Sequence, residues 1–400
     1  MNLRNKTVVI GVTGGIAAYK IASLVSMLNK AEAEVHVIMT KNACRFITPL
    51  TFETLSGYEC ITDTFERKGK FEVEHVELAK KADVFMVAPA TANVIAKLAN
   101  GIADDMLTTT FLASRCPKII VPAMNTRMYE NPITQDNMRK LEGYGMEVIT
   151  PDVGNLACGD TGAGKMPEPE VLFDHIVRAA RISKDLKGKK VLVTAGATRE
   201  SIDPVRFITN HSSGKMGFAI AKECVMRGAD VTIVKAATTA KIPRFCKIID
   251  VESAEDMFNE VSGISAEADI IIMAAAVADY TPRDYSDQKV KKQDGELAIQ
   301  LTRTKDILET LGKEKRHGQF ICGFSMETRD LVENSKRKLK RKNADMIVAN
   351  NLKDNGAGFG TDTNLVTLIS RDFVEPLELM SKEDTAMHII DKICTGGILK

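Results

Sequence analysis

The chain has 400 residues, which at roughly 150 residues per domain predicts two or three domains. Apolar residues make up 44% of the chain and charged residues 27%, as in typical globular proteins, so disorder is excluded as the main state. The 54 Lys and Arg residues nearly balance the 53 Asp and Glu residues, giving a formal net charge of +1. No overall field therefore favours nucleic acid or an anionic membrane, and any polyanion must be bound locally.

The amino terminus and the cysteines predict a cytosolic protein. The opening letters, MNLRNKTVVIGVTGG, contain an apolar run too short for a signal peptide or a membrane span. The cysteines lie at positions 44, 60, 116, 158, 224, 246, 322 and 394, with no C-x-x-C pair. This scatter argues against a disulfide framework or a zinc ribbon, and we expect most of the cysteines to be small buried hydrophobic residues.

Short runs rich in β-branched residues alternate with helical stretches, which predicts a parallel α/β architecture. Strands are predicted at Thr7 to Val12, Glu34 to Met39, Val84 to Ala88, Lys118 to Val121, Val191 to Thr194, Asp230 to Val234, Asp269 to Met273 and Asp345 to Ala349. Several of these runs are apolar throughout, as expected for strands covered by helices on both faces.

The chain contains one predicted domain boundary. The segment from Arg178 to Lys190, RAARISKDLKGKK, is polar and strongly basic, and the strand pattern restarts after it. We therefore predict domains at 1–187 and 188–400. Glycine-rich turns follow the first strand of each half, but their sequences differ, so the chain is predicted to hold two α/β domains rather than a tandem repeat.

The glycine-rich turn near the amino terminus predicts an anion site. In KTVVIGVTGGIAAYK a strand leads through Gly14 and Gly15 into a helix, which directs backbone N–H groups at a ligand crevice. A tight turn without a ligand is the alternative. The spacing G-x-x-G-G differs from the dinucleotide fingerprint, and the second strand ends in Met39, Thr40 and Lys41 rather than a carboxylate. A hydroxyl and a cation suit a phosphate, which favours a mononucleotide such as FMN.

Three further segments fall at strand ends or in loops: VAPATANVIAKLANGIADDMLTTT, VPAMNTRMYENP and LACGDTGAGKMPEP. They resemble the flavin-dependent cysteine decarboxylases of the phosphopantothenoylcysteine decarboxylase family. The resemblance implies a flavodoxin-like parallel-sheet sandwich with a site formed by His75, Asn125, Met128 and Cys158. It also implies FMN contacts at Gly14, Gly15, Ile16, Thr40, Thr108, Ala123 and Met124.

The chemistry of such a site accounts for these residue types. Loss of CO2 from a cysteine carboxylate leaves a carbanion without an electron sink, so a flavin must first oxidise the thiol carbon. The resemblance gives His75 the part of a base, Asn125 that of an amide donor to the carboxylate, and Cys158 that of a proton donor to the enethiolate. Taken alone, these residues are also typical of a helix cap, a turn and an inert thiol. Lys165 stands where the family usually has Arg.

The second half opens with VLVTAGATRESIDPVRFITNHSSGKMG, in which a strand leads to a glycine-rich loop and a helix. Ser212, Gly214 and Lys215 offer a hydroxyl, a bare backbone N–H and a cation, which are the parts of a phosphate cradle. The loop is not a Walker A motif. A helix cap with a surface lysine is the alternative interpretation.

Further strings, AAAVADY, KVKK, GFSMET, KRKLKRKNADMIVAN and GFGTDTN, resemble the phosphopantothenate–cysteine ligases in order and spacing. The resemblance implies a Rossmann-like domain in which Asn210 holds an acyl intermediate and Lys289 acts on the phosphates. It implies CTP contacts at Ser212, Gly214, Lys215, Ala275, Asp279, Lys289, Lys305, Asp306, Ile307, Leu308, Phe324, Lys338 and Lys342.

The residue chemistry agrees with nucleotide activation of an acid. Negative charge grows on the phosphates as pyrophosphate leaves, so we expect Lys289 and a bound Mg2+ to stabilise that step, with the metal ligands unassigned. Lys338 and Lys342 share one helix face, which fits phosphate contact, although a solvated face is the alternative. GFSMET departs from the smaller residues that commonly follow Phe324. The sequence alone does not distinguish a cytosine pocket from an adenine pocket.

Taken together, the two halves resemble fused bacterial enzymes that carry both activities in coenzyme A biosynthesis. The resemblance implies ligation of 4'-phosphopantothenate to cysteine, then decarboxylation of the product. It also implies a homo-oligomer, with a trimer of the decarboxylase domain and a dimer of the ligase domain combining into a dodecamer, and no nucleic-acid or membrane partner. A non-catalytic FMN-binding regulator is one alternative, although it has no need of His75, Asn125 and Cys158 together. A flavin prenyltransferase-like first half is another, against which the ACGD string and the fused ligase argue.

Overall fold

The computed structural model divides the chain into two compact units, Met1–Ile182 and Ser183–Lys400. The residues that it describes are 3–65, 74–156, 159–181, 184–290, 298–327, 330–351 and 360–395. Within these residues, no helix combines the length and the apolarity that crossing a bilayer requires.

The first unit contains seven strands and eight α-helices among its described residues. The strands are β1 (Thr7–Val12), β2 (Glu34–Met39), β3 (Val84–Ala90), β4 (Lys118–Pro122), β5 (Glu147–Val148), β6 (Asp152–Asn155) and β7 (Thr161–Lys165). The helices are α1 (Ala18–Lys30), α2 (Pro49–Ser56), α3 (Glu74–Lys81), α4 (Ala92–Ala99), α5 (Met106–Ala113), α6 (Thr126–Glu130), α7 (Pro132–Gly143) and α8 (Pro169–Ala180).

Five strands of the first unit form a parallel sheet in the order β2-β1-β3-β4-β5. This is the flavodoxin-like order, so the predicted fold of the first half is confirmed. All residues of β1 and β3 are buried, which explains why their sequences are apolar throughout instead of alternating. The strands β6 and β7 form a separate antiparallel hairpin.

The second unit contains fourteen strands and five α-helices among its described residues. The strands are β8 (Lys190–Ala195), β9 (Arg199–Ser201), β10 (Phe207–Thr209), β11 (Asp230–Lys235), β12 (Lys247–Asp250), β13 (Ile270–Met273), β14 (Tyr280–Pro282), β15 (Leu301–Arg303), β16 (Phe320–Glu327), β17 (Met346–Asn351), β18 (Thr363–Asn364), β19 (Val366–Ser370), β20 (Val374–Pro376) and β21 (Met380–Ser381). The helices are α9 (Lys215–Met226), α10 (Ala254–Ser265), α11 (Ile307–Lys313), α12 (Leu331–Arg341) and α13 (Lys382–Thr395).

Eight strands of the second unit form one sheet in the order β12-β11-β8-β13-β16-β17-β19-β20. The first six are parallel, and their order reverses between β8 and β13 as in the Rossmann fold, which confirms the predicted architecture. The last two strands are antiparallel. One face of the sheet packs against α9 and α13, and the other packs against α10, α11 and α12.

An aspartate at the entrance to a strand recurs in both units. Asp83, Asp269 and Asp345 each precede a parallel strand, and each carboxylate accepts a hydrogen bond of 2.8 Å from a backbone N–H at the start of the adjacent strand. An alanine precedes all three aspartates. The carboxylate therefore accepts a hydrogen bond from an N–H that the strand pairing would leave without a partner at the end of the sheet where these strands begin.

The division between the units lies five residues before the predicted boundary at 187 and 188. Leu186 is fully buried in the core of the second unit, and its backbone N–H donates to Arg227 O at 3.2 Å. Asp185 also pairs with Arg227, at 3.1 Å. The basic composition of this segment gives little sign of these contacts, because Leu186 is its only leucine and makes the apolar contact with the core.

The described cysteines form no disulfide. Cys60, Cys224 and Cys322 are buried, whereas Cys44, Cys116, Cys246 and Cys394 are partly buried. Burial raises the pKa of the Cys246 thiol to about 12. These residues act as small hydrophobic side chains, as expected from their scattered positions.

Candidate functional sites

The glycine-rich turn of the first unit lies where the strand order reverses, between the ends of β1 and β3. Thr13, which the sequence analysis did not select, has a buried hydroxyl that donates to Pro89 O at 2.6 Å and accepts from the backbone N–H of Thr91 at 3.1 Å. It thereby joins the loops that follow the two strands. A β-carbon on Gly14 would lie 2.6 Å from the Asn42 side chain, so the turn requires glycine there.

The amino terminus of α1 fits an anionic group. The helix follows the glycine-rich turn, has no side-chain cap at Ala17, and carries no acidic residue in its first turn. In contrast, α4 and α5 are capped by Thr91 and Asp105. The N–H groups of Ala18, Tyr19 and Lys20 already donate to Gly15 O, Ile16 O and Ala17 O, so a phosphate here would be favoured by the positive end of the helix rather than by free N–H groups.

The other predicted flavin contacts differ in accessibility. Ile16 is exposed beside the turn, and Thr40 directly follows β2, with its hydroxyl accepting from the N–H of Ala43 at 3.3 Å. Thr108 is 1% exposed, and its hydroxyl donates to the Asp105 carboxylate at 2.7 Å within a capping box. The structure therefore assigns the Thr108 hydroxyl to the amino terminus of α5 and leaves it no exposed surface for a ligand.

The segments PAMNTRM and GDTGAGKM come together in the structure. Asn125 caps α6 through its side-chain oxygen, while its Nδ2 donates to the Asp160 carboxylate at 2.8 Å. The Met124 N–H donates to Gly164 O at 3.1 Å. Gly164 has a φ of 132°, and a β-carbon there would lie 2.2 Å from Met124 O. Asp160 and Gly164 are thus functional candidates that sequence reasoning missed, although both lie in the string that carried the resemblance.

The remaining decarboxylase candidates within the described residues lie on several elements of the first unit. His75 is the second residue of α3, and no hydrogen bond among the described residues joins it to Asn125. Met128 on α6 is 50% exposed. Ala123 is half-buried, and its N–H donates to Ala90 O at 3.0 Å. Cys158 lies outside the described residues.

Lys165 occupies the base of the β6–β7 hairpin. Its ammonium group lies 3.7 Å from the Glu168 carboxylate, which also accepts from Lys20 of α1 at 2.8 Å. The hydrogen bond from Lys20 lowers the pKa of Glu168. Two cations and one carboxylate therefore connect the hairpin base to the helix that follows the glycine-rich turn.

The second unit contains a cavity of about 1390 Å³ at the point where β8 and β13 diverge. Its lining brings together most of the predicted ligase residues: Asn210, Ser212, Gly214, Lys215, Ala275, Asp279, Lys305, Asp306, Ile307, Leu308, Phe324, Lys338 and Lys342. It also includes further cations that the prediction did not use: Arg303, Arg337, Lys340, Arg341 and Lys382. Such a basic cavity suits a polyanionic ligand.

The glycine-rich loop of this cavity leads into α9, which begins without a side-chain cap. Gly214 has a φ of 79°, and a β-carbon there would lie 2.7 Å from the Thr238 hydroxyl, so the loop requires glycine. Lys215 donates to the Asp362 carboxylate at 2.6 Å and to Gly360 O at 3.0 Å. Asn210 is exposed and donates to Ala276 O at 3.3 Å.

Lys342 and Lys338 are held at the wall of the cavity. Lys342 is buried, and its ammonium group donates to Glu309 at 2.7 Å and to Asp306. The hydrogen bond from Lys342 is the main reason that the pKa of Glu309 falls to about 2. Lys338 donates to Phe324 O at 2.8 Å. The two lysines share a face as predicted, but carboxylates already compensate the charge of Lys342.

Ser325, which follows Phe324 and departs from the family pattern, has a hydrogen-bond partner in the structure. Ser325 and Ser335 are both buried, and their hydroxyl groups lie 2.9 Å apart, joining β16 to α12. Each hydroxyl satisfies the other, so the serine at 325 is tolerated beside the cavity because α12 also presents a serine.

Lys289 is not part of the cavity lining. It is exposed, and the next residue, Val290, donates through its N–H to the Asp203 carboxylate at 3.1 Å. Arg206 donates to Val290 O at 3.0 Å, and its side chain holds the pKa of Asp203 well below its usual range. The described structure therefore places Lys289 beside this Asp203–Arg206 turn.

Three polar residues of the cavity wall escaped sequence reasoning. Asn350 and Asn364 are at least nine-tenths buried, and the Oδ1 atom of each has no hydrogen-bond partner among the described residues. Lys382, the first residue of α13, is 6% exposed. Asn350 and Asn364 lie in strings that carried the resemblance, whereas Lys382 lies in none. Unpaired buried acceptors facing a cavity fit a ligand that brings hydrogen-bond donors.

Comparison with known proteins divides the chain in the same way. Residues 1–181 match the flavoprotein family, and residues 186–396 match the family described as DNA/pantothenate metabolism flavoprotein C-terminal domain. The coenzyme A biosynthesis bifunctional protein CoaBC of Bacillus subtilis is 48% identical over 98% of this chain and 97% of its own length. CoaBC of Escherichia coli is 40% identical over 99% of this chain and 98% of its own length.

Solved structures resemble each half separately. The crystal structure of the C-terminal domain of CoaBC is 41% identical and covers 54% of this chain and 98% of its own, with a TM-score of 0.47. The crystal structure of the FMN-dependent cysteine decarboxylase SpaF is 32% identical and covers 44% of this chain and 99% of its own, with a TM-score of 0.39.

Proposed function

This chain belongs to the CoaBC family of bifunctional coenzyme A biosynthesis enzymes, which have a decarboxylase and a ligase activity, and we propose the substrates and the residues of both reactions. The second unit joins 4'-phosphopantothenate to cysteine with CTP, and the first unit decarboxylates the product to 4'-phosphopantetheine. The observation that carries the proposal is the basic cavity that gathers the predicted ligase residues within one unit.

In the ligase reaction, the substrate carboxylate attacks the α-phosphate of CTP, and pyrophosphate leaves. The amine of cysteine then attacks the acyl carbon of the acyl-cytidylate, and CMP leaves. The uncapped amino terminus of α9, with Ser212 and Lys215, is suited to the phosphates. Asn210 is neutral and lies at the cavity wall, so it can hold the acyl phosphate without repelling it.

Mg2+ is expected to accompany the nucleotide. Magnesium is usually held by phosphates and one or two carboxylates rather than by a complete protein cage. Asp279 lines the same cavity, whereas Asp306 and Glu309 are already bonded to Lys342. Among the described residues, no cluster of three or more His, Cys, Asp or Glu side chains is arranged to hold a metal ion alone. We therefore propose Asp279 as the protein ligand.

In the decarboxylase reaction, FMN at the glycine-rich turn supplies the oxidation that makes loss of CO2 possible. His75 accepts the proton of the substrate thiol, and the neutral amide of Asn125 holds the carboxylate without the charge that would oppose its departure. Asp160 orients this amide through the 2.8 Å hydrogen bond. Cys158 remains the predicted donor of the proton that the enethiolate requires, and Met128 remains a predicted substrate contact.

The first unit is expected to complete its site with a neighbouring subunit. No hydrogen bond among the described residues joins His75 to Asn125, and the unit exposes apolar side chains, with Ile16 at 58%, Tyr19 at 60% and Met128 at 50%. Burial of such side chains favours association. We propose a trimer of the first unit and a dimer of the second, which combine into a dodecamer.

The decisive test is a mass spectrum of the products. Full-length protein with 4'-phosphopantothenate, cysteine and CTP is expected to give 4'-phosphopantetheine and pyrophosphate. Protein from which FMN is removed is expected to stop at the carboxylated product. A protein that binds FMN but forms neither product would be the non-catalytic regulator, and transfer of a prenyl group to flavin would identify a prenyltransferase instead.

Lys289 provides a sharper test of the activation step. If its charge stabilises the departing pyrophosphate, Lys289→Gln is expected to slow pyrophosphate release on the order of 10²-fold. Measurement without cysteine isolates this half-reaction. Release at the wild-type rate would show that this role belongs to Lys215, Lys338 or Lys342, which line the cavity.

A further inference from the structure

We propose that Lys382 is a positioning residue of the ligase site, where it holds residues 360–364, here called the strap, against the phosphate cradle. The inference rests on the proposed nucleotide-dependent ligase function. Lys382 is the first residue of α13 and lies outside every string that carried the family resemblance. By holding the strap, Lys382 positions Lys215, whose ammonium group is bonded to the strap.

The ammonium group of Lys382 is committed to the strap. It donates to Thr361 O, and it lies 3.4 Å from both the Thr361 hydroxyl and Thr363 O. The backbone N–H of Lys382 also donates to Asp362 O at 2.9 Å. One residue thus contacts three consecutive strap residues, and its buried charge is satisfied by their oxygen atoms.

The opposite side of the strap holds the phosphate cradle. Asp362 and Gly360 accept hydrogen bonds from Lys215, at 2.6 and 3.0 Å, and Lys215 is the first residue of α9. Asn364 contacts the next residue, Met216, with Nδ2 lying 3.5 Å from the sulfur atom. The strap therefore bonds to α13 through residues 361–363 and to the cradle through Gly360, Asp362 and Asn364.

This arrangement brings two cations to one wall of the cavity. Burial and the nearby charge of Lys215 lower the pKa of Lys382, which is the expected cost of placing two ammonium groups close together. The strap offsets this repulsion with backbone carbonyl groups and one carboxylate. The result is a preorganised positive wall, which is what a nucleoside triphosphate requires.

Calorimetric titration of CTP into the full-length chain tests the inference. Lys382→Met removes the ammonium group while keeping an unbranched side chain of similar length, and we expect it to weaken CTP binding at least 10-fold. The matched control is Thr385→Val in the first turn of the same helix, because its buried hydroxyl bonds only to Ser381 O among the described residues. We expect this control to bind CTP like the wild type.

A strap variant keeps the inference testable if Lys382→Met fails to fold. The Asp362 side chain is 87% exposed, so Asp362→Ala should not disturb the core. We expect it to weaken CTP binding several-fold, because Lys215 loses its anchor. Tighter binding would overturn the inference, since Asp362 would then be a competitor of the phosphates.

The double variant separates positioning from direct contact. If Lys382 acts through Asp362 and Lys215, Lys382→Met with Asp362→Ala should bind CTP no more weakly than Lys382→Met alone. Fully additive losses, or wild-type binding by Lys382→Met, would overturn the inference. Absence of binding of both CTP and ATP to the wild type would instead contradict the ligase function itself.

Discussion

Both units place an uncapped helix after a glycine-rich turn, at the point where the strand order reverses. In the second unit, the loops and helices around that point enclose a cavity of about 1390 Å³ lined by cations. In the first unit, the corresponding turn is flanked by exposed apolar side chains such as Ile16 and Tyr19. The same turn-and-helix element therefore stands in two different surroundings.

The difference lies in where each unit obtains its functional groups. The second unit collects them from helices on both faces of its sheet, so one chain supplies most of the wall. The first unit connects Asn125 to the hairpin, but no hydrogen bond among the described residues joins His75 on α3 to either. The described residues of one chain thus line most of the ligase cavity, whereas the decarboxylase site is the one for which we propose completion by a neighbouring subunit. The following predictions test this contrast.

The largest effect is expected at Gly164, because a side chain there would displace the loop that carries Asn125. The β-carbon of Gly164→Val would lie 2.2 Å from Met124 O. Since displacement of about 1 Å at a reacting group commonly costs 10²-fold, decarboxylation should fall on the order of 10²-fold or more. Ligation by the same protein should be unchanged.

Release of CO2 and release of pyrophosphate, followed in parallel, check this prediction. Gly143→Ala is the control, because no atom lies within 4 Å of the position its β-carbon would take. Normal decarboxylation by Gly164→Val would show that contact between the hairpin and the Asn125 loop is not required.

The second prediction concerns the independence of the second unit. A fragment of residues 184–400 should fold and ligate without flavin, and it should be more stable than a fragment of residues 188–400. The shorter fragment lacks Leu186, whose burial contributes about 2 kcal/mol, and the pairing of Asp185 with Arg227. Urea unfolding of the two fragments gives the difference. Equal stability would mean that Leu186 contributes nothing to the core.

A smaller effect is expected for the buried serine pair. Ser325→Ala and Ser335→Ala should each destabilise the second unit, because each leaves the other hydroxyl buried without its partner. The double variant should cost less than the sum of the two, with a coupling of about 1 kcal/mol. Strict additivity in urea unfolding of the 184–400 fragment would show that the two hydroxyl groups do not interact.

The smallest effect is expected from the Glu309–Lys342 ion pair. The folded pKa of Glu309 is about 2 against an ordinary value of 4.5, so its contribution to stability is complete above pH 4.5 and disappears as the pH falls towards 2. The stability difference between wild type and Glu309→Gln should therefore shrink over this range. Glu314→Gln, at an exposed position without an ion pair among the described residues, is the control.

Much of the fold was predictable because buried parallel strands have a strong sequence signal. The observed bounds of β1 and β2 agree with the prediction residue for residue. In contrast, β16 was missed, because its sequence, FICGFSME, mixes glycine, serine and methionine with few β-branched residues. Its place in the sheet is determined by pairing with β13 and β17, which is a tertiary effect.

The candidate sites were predictable where chemistry and local sequence coincide. The glycine-rich loops and the Asn125 segment are contiguous strings, and the structure places them at the turns that lead into α1, α9 and α6. Lys382 was not predictable, because in SKEDT it is typical of an exposed residue at a helix start. Lys382 is buried because α13 packs into the core beside the strap, and the local sequence around Lys382 does not indicate this tertiary contact.

The aspartates at the strand entrances have a consequence for folding during synthesis. The N–H of Thr7 bonds to the Asp83 carboxylate, 76 residues later in the chain, and the N–H of Lys190 bonds to the Asp269 carboxylate, 79 residues later. In each unit, the N–H at the start of the first strand therefore cannot bond to its aspartate until the ribosome has synthesised the chain as far as the strand that this aspartate precedes, β3 or β13. Each unit thus begins with a strand that must remain incomplete while a similar length of chain emerges.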